Sequence, residues 1–169
     1  GLLGKNGAGK STLLKNMTGS LHPTAGTCTI NDEPVKDRKP STLQNLYFIP
    51  EQINAPSVKI STFLKMNSPF YLNFSKADFD TILKEFDLIT DLKLDQLSHG
   101  QQKKVALAFG VATNTQWLLM DEPTNGLDIP SKTSFRRVIG NHLSDDRGVI
   151  ISTHQIADIE KLIESLVVI

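Results

Sequence analysis

Gly4-Lys5-Asn6-Gly7-Ala8-Gly9-Lys10-Ser11 reads G-x-x-x-x-G-K-S, and the helical run Thr12-Leu13-Leu14-Lys15-Asn16-Met17 follows it directly. This is the pattern of a loop that wraps a nucleotide's phosphates. Its glycines let the backbone turn tightly and come close to the ligand. Successive N–H groups then point inward as an anion nest at a helix N-terminus. The candidates for phosphate binding are therefore Gly4, Lys5, Asn6, Gly7, Ala8, Gly9, Lys10, Ser11 and Thr12. Lys10 is expected to reach the β- and γ-phosphates and the Ser11 hydroxyl to ligate Mg²⁺. The alternative is a Gly-rich turn with a chance lysine; the match at every fixed position favours the phosphate loop.

Outward from this loop, apolar strands alternate with helices. Thr27–Ile30 and Pro34-Val35 flank Asn31-Asp32 as a hairpin, and Leu46-Tyr47-Phe48-Ile49 is a short strand closed by Pro50. From Ser61 to Leu97 the pattern is helical; Phe79, Ile82, Leu83 and Phe86 share one face. Ser98–Thr113 reads as a helix opened by a Ser98/Gln101 capping box. Trp117–Met120 is a buried strand ending in Asp121-Glu122, Pro130 suits the first turn of a further helix, and Val149–Ile151 is another strand. Ile156, Ile159, Leu162 and Ile163 predict a last amphipathic helix, and Leu166–Ile169 a last strand. Strands alternating with helices imply an α/β fold with a mostly parallel sheet flanked by helices. Such sheets bind ligands beyond the carboxyl ends of their strands. The phosphate loop, Asp121-Glu122 and Ser152-Thr153-His154 all follow strands, so they are expected to meet there.

The chemistry of those strand ends is specific. Adjacent residues at a strand end point in different directions. Asp121 can thus face a metal while Glu122 faces an attacking water as general base. His154 is placed to contact the γ-phosphate and help orient that water.

Composition narrows the function classes. The 169 residues suffice for one domain with a core. Lys+Arg and Asp+Glu are 18 each, so no overall field favours nucleic acid or an anionic membrane. Cys28, the single cysteine, forms no internal disulfide and fits a reducing compartment. No apolar run approaches the roughly 20 residues that span a bilayer. Only Gly1-Leu2-Leu3 precedes the phosphate loop, so the chain is expected to be a fragment lacking an N-terminal piece of its domain.

With these residues in place, the chain resembles the nucleotide-binding domain of ABC-type ATPases. The phosphate loop, Leu97-Ser98-His99-Gly100-Gln101, Met120–Pro123, Asn125-Gly126-Leu127-Asp128 and His154 occur in that family's order and approximate spacing. The resemblance covers nearly the whole chain, and Leu97–Gln101 is its discriminating segment. It implies a P-loop NTPase fold over residues 1–169, with an inserted helical subdomain at about 53–97. It also implies ATP and Mg²⁺ as ligands and hydrolysis that powers transport across a membrane. The implied partners are a second ATPase domain, head-to-tail in a homo- or heterodimer, and transmembrane permease subunits. The implied location is the cytoplasmic face of the membrane, with no direct nucleic-acid contact. Ser98, Gly100 and Gln101 would touch the partner domain's γ-phosphate, and Asp128 would belong to a loop communicating across the dimer. A glutamine that touches Mg²⁺ corresponds to Gln52 by residue type or to Glu51 by strand spacing. His99 stands where the family usually has glycine, and the family's adenine-stacking aromatic lies upstream of this sequence. The alternative is a non-transport ABC-type ATPase acting on ribosomes or nucleic acid. The short helical segment between phosphate loop and signature argues against the coiled-coil DNA-repair type.

Overall fold

The computed structural model describes residues 1–144 and 146–169. Leu2–Leu3 forms β1, and the phosphate loop leads into α1, Lys10–Met17. Gly19 follows that helix with φ +65°, and a Cβ there would meet the Val35 carbonyl oxygen at 2.3 Å. Thr29–Ile30 (β2) and Glu33–Pro34 (β3) pair antiparallel as the expected hairpin. Its turn residues Asn31 and Asp32 have φ 51° and 63°, the left-handed pair of a two-residue hairpin loop. Pro40–Leu43 is a one-turn helix, α2, before β4, Leu46–Ile49.

Ile60–Asn67 (α3) and Lys76–Glu85 (α4) occupy only part of the 61–97 segment expected to be helical; the rest is turns with the 3-10 pieces Ser68–Phe70 and Leu94–Gln96. The 14-residue α5, His99–Ala112, is capped by Ser98 and leads to β5, Trp117–Asp121. Asp128 caps α6, Ile129–His142, with Pro130 in its first turn. Gly148–Thr153 is β6 and Val167–Val168 is β7.

The main sheet has the order β4-β5-β6-β1-β7, with every pair parallel. The period of two decides which residues face which layer. Tyr47, Ile49, Leu118, Met120, Val149 and Ile151 pack into the larger core with helices α3 to α6. The alternate residues Phe48, Leu119 and Ile150 join Leu2 and Leu14 on the other face, beneath α1. The sheet is therefore the middle of three layers. Phe109 anchors the larger core, with its ring centroid 5.4 Å from Tyr47 and 5.2 Å from Phe63.

The carboxyl end of α5 is tied to the start of β6. The Arg147 guanidinium donates to the carbonyls of Gly110 and Val111, each at 2.7 Å, and to the hydroxyls of Thr113 and Thr115. Burial lowers its pKa to about 10, which leaves it charged at neutral pH. A cation here also meets the negative end of the helix dipole.

Leu2–Leu3 is short, yet it pairs with β6 on one side and β7 on the other, so the phosphate loop hangs from a strand. One further expectation changes. The expected last helix is absent: Ile156–Asp158 is a single 3-10 turn and the chain then proceeds through turns to β7. Ile159 is fully buried, but Glu160 and Glu164 would lie toward a helix's negative carboxyl end. So short a segment repays the cost of helix nucleation poorly. Among the described residues no helix is long and apolar enough to cross a membrane.

Candidate functional site

The phosphate loop is built by its backbone. Gly7 and Gly9 have φ +84° and +100°, a conformation that side-chain-bearing residues rarely adopt, and Gly9 caps α1. Ala8 N–H donates to Lys5 O at 3.1 Å, and Gly4 N–H reaches Thr153 O of β6 at 3.4 Å. Lys10, the first residue of α1, is buried, and its ammonium donates to Gly4 O at 2.8 Å and Lys5 O at 3.3 Å. Ser11 is half-buried beside it, while Lys5, Asn6, Gly7 and Thr12 are exposed.

The end of β5 faces this loop. Asp121 pairs with Ser152 across the β5–β6 ladder, and the Ser152 hydroxyl donates to Asp121 Oδ1 at 2.6 Å. Glu122 leaves the strand with φ +45°, a left-handed conformation for a residue with a long side chain. Its N–H is held by Ser152 O at 3.2 Å and Ser152 Oγ at 3.0 Å. The turn sends the Glu122 carboxylate toward the phosphate loop. Oε1 lies 3.2 Å from Lys10 Nζ and Oε2 lies 2.8 Å from His154 Nδ1.

The tautomer of His154 follows from its partners. A carboxylate only accepts, so Nδ1 carries the proton, and the Gln155 amide nitrogen, 3.1 Å away, donates to Nε2. Through Nδ1 the ring holds Glu122 in place.

The structure thus brings Lys10, Glu122 and His154 together, with Asp121 and Ser152 beneath them. Ser98, Gly100 and Gln101 stand elsewhere, at the N-terminus of α5. There both halves of the capping box are formed: Gln101 N–H donates to Ser98 Oγ at 3.2 Å, and Ser98 N–H to Gln101 Oε1 at 3.0 Å. Gly100 sits against Leu127: a Cβ there would meet Leu127 Cδ2 at 3.4 Å. A cleft of about 350 Å³ lies beside this helix start, lined by Glu51, Gln52, His99, Gly100, Lys103 and Asn125 among others. Its lining includes neither Ser11 nor Asp121. Gln52 is exposed, and Glu51 Oε1 accepts a hydrogen bond from Asn125 Nδ2 at 2.9 Å.

Three contributors escape a reading of the sequence. Ser152 organises Asp121 and Glu122 together, Lys103 donates to the carbonyls of Glu122 and Asn125, and Asp158 gathers Thr124 and Lys132. Only Ser152 carries a signal, since it sits two residues before His154 on a strand.

Comparison with known proteins agrees with this arrangement. The sequence pattern of the family described as "ABC transporter" matches residues 1–125. The whole chain is 32% identical over 175 residues to Nod factor export ATP-binding protein I of Burkholderia orbicola (strain AU 1054), covering 58% of that protein. It is 28% identical over 181 residues to energy-coupling factor transporter ATP-binding protein EcfA2 of Clostridioides difficile (strain 630), with 99% of the chain aligned to 63% of the relative. The chain therefore spans less than two thirds of these relatives' length. Among solved structures, an ATP-binding subunit of an ABC transporter superposes with TM-score 0.87 at 26% identity, over 99% of this chain and 72% of that one. The phosphate loop, the acidic end of β5, the capped start of α5 and these matches lead to one assignment: the chain belongs to the ABC transporter family, as its ATP-binding domain.

Proposed function

We propose that this chain binds and hydrolyses ATP to drive a substrate across a membrane, as the ATPase subunit of an ABC transporter. The observation that carries the reading is the Glu122 carboxylate, held at once by Lys10 of the phosphate loop and by His154 after β6. The transport names of the two relatives support the coupling to a permease.

In this reading the amides from Gly4 to Thr12 and the Lys10 ammonium bind the phosphates. Glu122 takes a proton from the attacking water, and His154 keeps the carboxylate aimed at it. General-base catalysis of this kind contributes about 10² to 10⁴ in rate. Ser11 and Asp121 fit a magnesium ion: both offer hard oxygen donors, and Asp121 is fixed in place by Ser152. Gln52 offers an amide oxygen as a further ligand. Magnesium, when bound, neutralises charge that develops on the β- and γ-phosphate oxygens.

Ser98, Gly100 and Gln101 serve the other domain of a head-to-tail dimer. Their separation from Lys10 within one chain, and their place at an open helix N-terminus, suit a phosphate presented by a partner. Residues from about 53 to 97 make the helical subdomain that docks on the permease at the cytoplasmic face of the membrane.

The test is Glu122→Gln in the full-length protein. ATP binding persists and turnover is lost; a variant that hydrolyses ATP at the parental rate removes Glu122 as the base. The same variant, trapped with ATP and fractionated, co-purifies with membrane proteins. Ribosomes or DNA in their place would overturn the transport assignment.

A further inference from the structure

The turn that aims Glu122 has its own clamp. Lys103, in the second turn of α5, donates from its ammonium to Asn125 O at 2.6 Å and to Glu122 O at 3.2 Å. The Glu122 carbonyl also accepts from Asn125 N–H at 3.1 Å, which closes the turn. On its outer side, Asn125 Nδ2 donates to Glu51 Oε1 at 2.9 Å. One cation and one carboxylate therefore grip the same short turn from opposite elements.

Something has to hold this turn. Glu122 adopts φ +45°, a backbone conformation that costs a non-glycine residue about 1–3 kcal/mol and persists only where neighbours over-determine it. The Glu122 N–H is fixed by Ser152 and its carbonyl by Lys103, so both sides of the strained residue are tied. Burial lowers the Lys103 pKa, and the surrounding Glu51, Glu122 and Asp121 carboxylates oppose that shift. Its neighbour Lys104 points elsewhere, its ammonium 5.7 Å from the centre of the Phe86 ring.

We propose that Lys103 is a positioning residue for Glu122: by pinning the carbonyls of Glu122 and Asn125 it holds the left-handed turn from which the Glu122 carboxylate reaches Lys10 and His154. The inference rests on the reading of Glu122 as the base. It assigns α5 a duty within its own chain, separate from the capped end that would face a partner. A misplacement of the base by about 1 Å is enough to cost up to about 10²-fold in rate.

The experiment compares Lys103→Met, Lys103→Arg and Lys104→Met in the full-length protein, each with and without Glu122→Gln. We expect Lys103→Met to lower kcat roughly tenfold or more with the KM for ATP and ATP binding unchanged. Lys103→Arg recovers most of the rate, Lys104→Met turns over normally, and Lys103→Met costs nothing further in the Glu122→Gln background. A parental kcat for Lys103→Met overturns the proposal. So does a loss of ATP affinity in place of kcat, an equal loss in both backgrounds, or a failure of arginine to restore the rate. Should Lys103→Met not fold, Lys103→Gln, with a neutral donor on a shorter arm, is set against Lys103→Arg by the same criteria. A Glu122→Gln variant at the parental rate overturns the base and its clamp together. A silent Glu122→Gln beside a fully active Lys103→Met overturns the clamp alone.

Discussion

Lys10 Nζ and Glu122 Oε1 lie 3.2 Å apart in a pair whose side chains are each only 6% exposed. In the proposed mechanism the charge that meets the phosphates and the carboxylate that meets the water are thus in direct contact. Breaking a buried pair from one side leaves an uncompensated charge and costs about 3–5 kcal/mol. We expect Lys10→Met to lower the unfolding free energy by about 3 kcal/mol, and the double variant Lys10→Met/Glu122→Gln to recover most of it. Denaturant melts of the four proteins in the cycle measure this. A double variant no more stable than Lys10→Met would show that the two side chains are not coupled.

His154 is bonded to Glu122 and Gln155, and the proposal has it act through Glu122. His154→Ala is expected to reduce turnover by about 10²-fold while ATP binding is unchanged. Steady-state hydrolysis beside equilibrium nucleotide binding separates the two. Reduced ATP affinity with an intact rate would make the histidine a nucleotide contact and nothing more.

Ser98 has a local duty and a proposed distant one, and two substitutions divide them. Ser98→Ala removes the capping box and costs about 1 kcal/mol of stability. Ser98→Arg abolishes ATP-dependent dimerisation and spares ATP binding. Size-exclusion chromatography with ATP, in the Glu122→Gln background, reads the difference. Dimers that form normally with arginine at this position would sink the shared-site arrangement.

Asp128 provides a pH signature. The Ser131 hydroxyl and N–H hold its carboxyl below the usual carboxylate range. A carboxyl depressed in the folded state binds fewer protons there than when unfolded, so it adds stability that is complete above the unfolded value near pH 4. That contribution fades as the pH falls through the lower folded value. Thermal midpoints between pH 6 and 3 should fall less steeply for Asp128→Asn than for the parent, since asparagine caps α6 without titrating. Parallel curves would remove the carboxylate from the acid response.

Legibility in the sequence followed the range of the forces involved. Ser98 and Gln101 form their box from residues three apart, and the Asn31-Asp32 turn needs nothing beyond itself, so both can be read locally. The run Trp117–Met120 declared a buried strand, and its end placed Asp121 and Glu122 at the carboxyl edge of the sheet. The Lys103 contacts could not be read in this way, because they join residues 19 and 22 positions apart through a turn whose left-handed start no pattern announces. Ile156 to Ile163 misled for the opposite reason: the apolar period was there, but the segment after β6 breaks into turns that bury Ile159 without a helix.

The grip of Arg147 on the foot of α5 has a mechanical consequence. Four bonds lock that end to the base of β6, while the Ser98 end is exposed. Fourteen residues at 1.5 Å each make a rod of about 21 Å. Sliding this rod along its axis would tear all four bonds at once. Near its other end Lys103 holds the Glu122 and Asn125 carbonyls, so the rod is fastened at both ends of its span. In the proposed shared site, a push on Ser98 would therefore be carried by a strut rather than absorbed by a loose tip.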